Sequence, residues 1–236
     1  MRAYTQSWHS PHTGRQMEFR HFGDRGAPVL VFPTTSGDHN EFADRGMIHI
    51  LADKIERGHI QVLCINSLHW EGWYNDGCEP HRKVEIAVAF EDYLVHEFFP
   101  YLRHATGMDS VIAFGISFGA YQAANFALKH PDLVHRLLAV YGSFDIKGLL
   151  HGHYDELCYF NNPVDYLPNM NDPWFLERYR QMDITLITSD SDLCLQRNMD
   201  FSHLLNTKGV EHNFYRWSAD FPHEWPSWQH IVPHYL

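Results

Sequence analysis

Ser117 is the residue around which chemistry is easiest to imagine in this chain. It lies in Gly115-Ile116-Ser117-Phe118-Gly119, a G-x-S-x-G pattern between the apolar run 111–114 and an Ala-rich helical stretch carrying Ala120, Ala123, Ala124 and Ala127. A short buried strand that turns sharply into a helix lifts a serine oxygen above the edge of a sheet. Glycines flank the serine because neighbouring backbones come too close there for a Cβ. The same residues also read as a plain turn in which Ser117 caps the helix. A serine hydroxyl is a weak nucleophile at neutral pH, so covalent chemistry needs a base within hydrogen-bond reach and an acid that orients the base. The chain offers Asp190-Ser191-Asp192 directly after the strand-like run 183–189, and His223 after the run 211–217.

Three such residues are useful only if a fold carries them to one place. Strands and helices alternate from Pro28 onward, which implies an α/β fold with a doubly wound, mostly parallel sheet. Residues 3–9 and 16–22, joined by Ser10-Pro11-His12-Thr13-Gly14, read as an N-terminal antiparallel hairpin at one edge. Continuous apolar runs at 28–33 and 60–66 have the character of strands covered on both faces. Helices are expected over 41–57, 81–102, 118–130 and 193–208, with Pro131 ending the third and Gly209 the fourth. Glu91 falls inside the apolar stripe of the 81–102 helix, either at its rim or paired with a base. The loop 67–80 carries Trp70, Trp73 and Tyr74, which either line a pocket or pack over the sheet edge. Residues 143–182, with Pro163, Pro168 and Pro173, interrupt the rhythm and read as a small cap over the site, and its Trp174 joins the three loop aromatics as a pocket candidate.

The chain has 236 residues and no linker-like segment, so a single domain over 1–236 is expected. A net charge of −11 argues against nucleic acid or an anionic membrane as partner and favours a neutral small-molecule substrate. Residues 1–20 lack an apolar targeting core, which points to a cytoplasmic protein, and the composition leaves a homo-oligomer open. The four cysteines show no C-x-x-C spacing and are expected as free thiols. Nineteen histidines invite a metal reading around His151-Gly152-His153, yet no H-E-x-x-H or comparable ligand spacing occurs, so neither metal nor cofactor is expected.

Together the Gly115 to Gly119 pentapeptide, the Ser189-Asp190-Ser191-Asp192 segment and the C-terminal Phe221-Pro222-His223-Glu224-Trp225-Pro226-Ser227-Trp228 resemble the α/β-hydrolases of the putative-esterase, esterase D-like family. They correspond to that family's G-x-S-x-G, G-x-x-D and H-[DE]-W-x-x-W patterns, the last being the most specific, and the resemblance runs from Pro28 to Leu236. It implies an α/β-hydrolase fold and a serine carboxylesterase, with Ser117 as nucleophile, His223 as base and Asp192 as the orienting acid. Ser189 replaces the glycine of G-x-x-D, which keeps Asp190 open as the acid. The oxyanion donors implied are the backbone N–H groups of Phe118 and Thr35, or of Thr34 if the register slips by one. Family members act on acylated sugars, feruloyl esters, S-formylglutathione and lipid-like acyl donors, so thioesterase and acyltransferase readings stand beside the esterase, with a non-catalytic scaffold as a remoter one.

Overall fold

The computed structural model describes residues 1–236. Its centre is an eight-stranded sheet: β1 (Ala3–Ser10), β2 (Arg15–Phe22), β3 (Ala27–Phe32), β4 (Ile60–Ile65), β5 (Val111–Ile116), β6 (Val134–Val140), β7 (Asp183–Ser189) and β8 (Asn213–Trp217), in the spatial order β1-β2-β4-β3-β5-β6-β7-β8. The hairpin β1-β2 is antiparallel and joins the sheet antiparallel to β4, while every later pairing is parallel. β5 therefore lies in the middle with β3 on one side and β6 on the other, and its six residues are all buried.

The helical elements are α1 (Glu41–Asp44), α2 (Met47–Ile50), α3 (Ala52–Glu56), α4 (Pro80–Tyr93), α5 (Phe99–Thr106), α6 (Phe118–Lys129), α7 (Glu156–Tyr159), α8 (Pro163–Tyr166), α9 (Pro173–Gln181), α10 (Leu195–Thr207) and α11 (Trp225–Ile231). Two expectations for the helices need correction. The single helix over 41–57 is three short ones, the first break falling at Gly46, whose φ of 75° leaves the right-handed helical region. The helix expected to stop at 102 runs on to Thr106 through a widened π turn at Leu94–Phe98. That turn comes just before Pro100, whose ring would otherwise meet the carbonyl one turn back.

One core, on the α4–α5–α6 face of the sheet, gathers Phe19, Leu63, Phe98, Ala113, Phe126 and Leu186; the other, on the α1–α3 and α11 face, gathers Val31, Phe42, Ile55, Phe114, Ile187 and Trp228. Ala120, Ala123, Ala124 and Ala127 are fully buried and let α6 lie close under β5 and β6. Glu91, which the apolar stripe left ambiguous, is paired with Lys129 at 2.6 Å and His130 at 2.7 Å. The segment 143–182 is a chain of short helices. Its first half buries Ile146, Leu150 and Cys158 against Phe118 and Trp73, and its second half runs along α6, where Tyr166 bonds Asn125 and Tyr179 bonds the Leu128 carbonyl.

Candidate active site

The strand-to-helix turn after β5 holds Ser117 at φ 57°, ψ −117°, a conformation a side-chain-bearing residue seldom adopts. Its neighbours explain why the turn can be so tight. A Cβ on Gly115 would collide with the carbonyl of Gly119, and one on Gly119 would collide with the carbonyl oxygens of Phe32 and Pro33. Ser117 makes no side-chain cap bond to α6. Its hydroxyl is instead 2.9 Å from Nε2 of His223.

His223 hangs from the loop between β8 and α11. Its Nδ1 is 2.7 Å from Oδ1 of Asp192, in the loop after β7. Asp192 has no exposed side-chain surface, and its charge is met by polar hydrogens on every side: Thr188 donates its hydroxyl to Oδ2 at 2.7 Å, and the Cys194 N–H donates to Oδ1 at 2.8 Å. A carboxylate buried and saturated in this way fixes the tautomer of the imidazole, with Nδ1–H toward Asp192 and the Nε2 lone pair toward the serine. Asp190 is not part of this chain of bonds. Its side chain is 44% exposed and paired with Arg216.

The loop that carries His223 is itself tethered. The Phe221 carbonyl accepts the Tyr141 hydroxyl at 2.7 Å and the Ser189 hydroxyl at 2.5 Å, so the residue standing where the family pattern has glycine ties the histidine loop to the end of β7. Tyr141 and Trp228 both pack their rings edge-on against the imidazole, at 5.6 and 5.1 Å between centroids. Tyr141 has a φ of 55°, and nothing in its local sequence announces it.

Beside the elbow lies the loop after β3. Phe118 is the first residue of α6, so its N–H has no partner within the helix. The Thr34 N–H and hydroxyl are both taken by the carboxylate of Glu41, at 2.8 and 2.5 Å, whereas the Thr35 N–H has no protein acceptor. Burial raises the pKa of Glu41, and these two bonds from Thr34 act in the opposite direction. The exposed Thr35 reaches with its hydroxyl to the Tyr74 hydroxyl at 3.1 Å. Behind Tyr74 lies His69, a buried imidazole whose pKa burial lowers to about 4, so it is neutral; its Nε2–H donates to Gln122 at 2.9 Å.

The four aromatics expected to line a pocket separate. Tyr74 packs on Phe118 at the elbow; Trp73 is buried among Phe118 and Tyr121 as wall, not surface. Trp70 is 64% exposed. Trp174 is not at the site: it lies on α9 with the Arg178 guanidinium 3.8 Å from its ring, beside Phe175 at the opposite end of α6. Sequence reasoning missed Thr188, Tyr141 and Ser189 as supports, and also Arg197. The Arg197 guanidinium donates to Ser143 Oγ at 2.8 Å, and the Ser143 N–H points to the Ser117 carbonyl at 3.3 Å, which sets an exposed positive charge at the rim.

The four cysteines are free thiols. Asp192, Cys194 and His223 offer atoms close enough for a metal ion, but burial pushes the Cys194 thiol up to about 11 and the imidazole is already bonded at both nitrogens. No helix is long and apolar enough to cross a membrane.

Comparison with known proteins agrees with this geometry at the level of the fold. A ferulic acid esterase superposes with a TM-score of 0.78 at 18% identity, over 100% of this chain and 96% of the other. An S-formylglutathione hydrolase from Agrobacterium tumefaciens superposes with a TM-score of 0.73 at 15% identity, over 98% and 94%. In sequence, a 1-acylglycerol-3-phosphate O-acyltransferase of Arabidopsis thaliana is 30% identical over 115 residues, 49% of this chain and only a quarter (25%) of that protein's length. The alpha/beta hydrolase fold family matches residues 27–191, more than half of the chain, and the protein belongs to that family.

Proposed function

We propose that the protein is a serine carboxylesterase acting through an acyl-enzyme on Ser117. One observation carries this reading: a serine on a strained turn, an imidazole and a buried carboxylate stand in line, with contacts of 2.9 and 2.7 Å. In the first half-reaction the Ser117 oxygen attacks the ester carbonyl carbon while its proton passes to Nε2 of His223. The negative charge of Asp192 stabilises the imidazolium so formed. The carbonyl oxygen becomes an oxyanion that accepts hydrogen bonds from the N–H groups of Phe118 and Thr35, each worth about 3 to 4 kcal/mol of barrier. Collapse of the tetrahedral species breaks the bond to the alcohol, which leaves with the proton from His223. Water then attacks the acyl-serine, giving its proton to His223, and the carboxylic acid departs as Ser117 is re-protonated. Thr34 is the poorer second donor, since Glu41 already holds its N–H. The first half of the segment 143–182 serves in this reading as a side wall, through Ile146 and Leu150 against Phe118.

Labelling with a fluorophosphonate probe and turnover of p-nitrophenyl acetate test the proposal together. Ser117→Ala should lose the adduct and about six orders of magnitude in kcat while keeping the thermal midpoint within a few degrees. Retention of most of the turnover would refute it.

A thioesterase of the S-formylglutathione type is a second reading, supported by Arg197. A guanidinium at the rim suits a thiol portion that carries carboxylates, which the overall negative charge did not suggest. Competition between p-nitrophenyl acetate and S-formylglutathione separates the two, because Arg197→Ala should raise KM for the thioester alone. An acyltransferase would share the first half-reaction and divert product to an added alcohol.

A further inference from the structure

Away from Ser117, three side chains from two separate segments aim polar atoms at one point. His81 lies in the first turn of α4, and His153 and Asp155 lie in the insertion after β6. His81 Nδ1 is 2.6 Å, and His153 Nε2 is 3.0 Å, from the same atom, Oδ2 of Asp155. The three ligand atoms all lie within 4.8 Å of one another. The cluster is open to solutes: the side chains of His81, His153 and Asp155 are 50%, 40% and 31% exposed.

Two of the remaining polar atoms, Asp155 Oδ1 and His81 Nε2, hold the arrangement in place. Asp155 Oδ1 accepts the Cys158 N–H at 2.9 Å and caps α7, which leaves Oδ2 turned toward the two imidazoles. His81 Nε2, the nitrogen facing away, lies 3.5 Å from Oε1 of Glu85. Glu85 is in turn steadied by Arg82 at 2.8 Å. A carboxylate behind the outer nitrogen is the usual companion of a ligating histidine. Two imidazoles and one carboxylate suit Zn²⁺ and cations of similar softness, whereas Mg²⁺ and Ca²⁺ call for oxygen throughout.

We propose that His81, His153 and Asp155 bind one divalent cation of the zinc class, with water filling the open coordination positions. Sequence spacing could not reveal such a site, because His81 and Asp155 are 74 positions apart. The cation pins the start of the insertion to the start of α4. Val84, Trp73, Ile146, Leu150 and Phe118 pack as one cluster between those segments, so the pinned contact stiffens the wall beside the elbow.

Zinc chloride titrated into the untagged protein by calorimetry is the test, with His81→Ala, Asp155→Asn and His151→Ala alongside. Asparagine can still cap α7, so Asp155→Asn removes the ligand charge while leaving the helix start intact. His151 is exposed and outside the cluster, and serves as the control for unspecific histidine binding. The wild type and His151→Ala should each bind one zinc ion with the same affinity, and zinc should raise their thermal midpoints. His81→Ala and Asp155→Asn should bind at least about tenfold more weakly. Equal affinity in all four proteins, loss in His151→Ala, or no saturable binding by the wild type overturns the proposal.

Discussion

The two ends of α6 lie roughly 18 Å apart along the helix and follow different rules. At the start, space is scarce and polar: Gly115 and Gly119 admit no side chain, Ser117 sits at positive φ, and a line of hydrogen bonds runs from the serine to Asp192. At the other end an apolar cavity of about 580 Å³ opens between α6 and the insertion, lined among others by Leu128, Tyr159, Tyr166, Met170 and Phe175. The cavity has the size and lining of a small-molecule site. Of the charged residues around it, Lys129 and His130 are spent on Glu91, and Asp172 accepts the Trp174 N–H at the start of α9. Room for a ligand and capacity for reaction are therefore separate properties here. Reaction needs the strained turn and the bonded side chains, and those occur only where the sheet edge and three loops converge.

The comparison breaks most visibly at the acid. Asp192→Asn should lower kcat by about 10⁴, because an amide at that place no longer fixes the imidazole tautomer. Asp190→Asn, which removes only an exposed partner of Arg216, should leave kcat within a few-fold. Steady-state rates on p-nitrophenyl acetate decide it, and a larger loss for Asp190→Asn would reverse the assignment. At the far end, Leu128→Ala enlarges an existing cavity from a residue that is 1% exposed. It should cost about 2 to 5 kcal/mol of stability in urea unfolding while the folded fraction keeps its kcat. A parallel fall in kcat would show that the two ends are coupled.

What the sequence made legible follows the same division. The flanking glycines and the apolar run before Ser117 are local requirements of a tight turn, so they can be read without a fold. The alternation of strands and helices likewise announces the sheet order's ingredients, and Gly46 carried the signal that a single helix over 41–57 overlooked. The family pattern favoured Asp192 over Asp190, yet the residues themselves did not separate the two, because they share one local sequence; what separates them is the Thr188 hydroxyl and the Cys194 N–H, which reach only Asp192. Trp174 was misassigned for a related reason. Composition shows that an insertion is aromatic and not which end of α6 it will cover. The Glu41 grip on Thr34 spans seven positions and depends on the curvature of a loop, which no propensity encodes.

Acid gives a milder way to sharpen the contrast. His69 is 1% exposed and folds with a pKa of about 4 against an ordinary 6.5, so between these values the unfolded chain binds the proton that the folded one refuses. Its contribution is fully present above pH 6.5 and is lost as the pH falls toward 4, to a total of about 3 kcal/mol. Burial also lowers the pKa of His21, which acts in the same direction. Thermal midpoints measured from pH 7 to pH 4 should therefore fall less steeply in His69→Asn than in the wild type, whatever the offset at pH 7. Parallel curves would mean that His69 does not titrate with folding.

The smallest effect tests whether the loop after β3 needs its tie. Tyr74 and Thr35 share a hydrogen bond of 3.1 Å between hydroxyls, and the N–H proposed to receive the oxyanion belongs to the same threonine. Tyr74→Phe removes the bond and leaves the ring against Phe118, so the loss is confined to positioning, at about 1 kcal/mol or a few-fold in kcat. Thr35→Val removes the same bond from the other side while keeping the backbone donor, and the double variant should be no slower than either single one. At the far end Tyr159 offers a matched control, since its hydroxyl accepts from Asn169 at 3.0 Å beside the cavity. Tyr159→Phe deletes a bond of nearly the same length and should leave kcat unchanged. Equal rates for Tyr74→Phe and Tyr159→Phe would mean that the elbow end owes nothing to that hydroxyl pair, and that the backbone alone holds the Thr35 N–H in place.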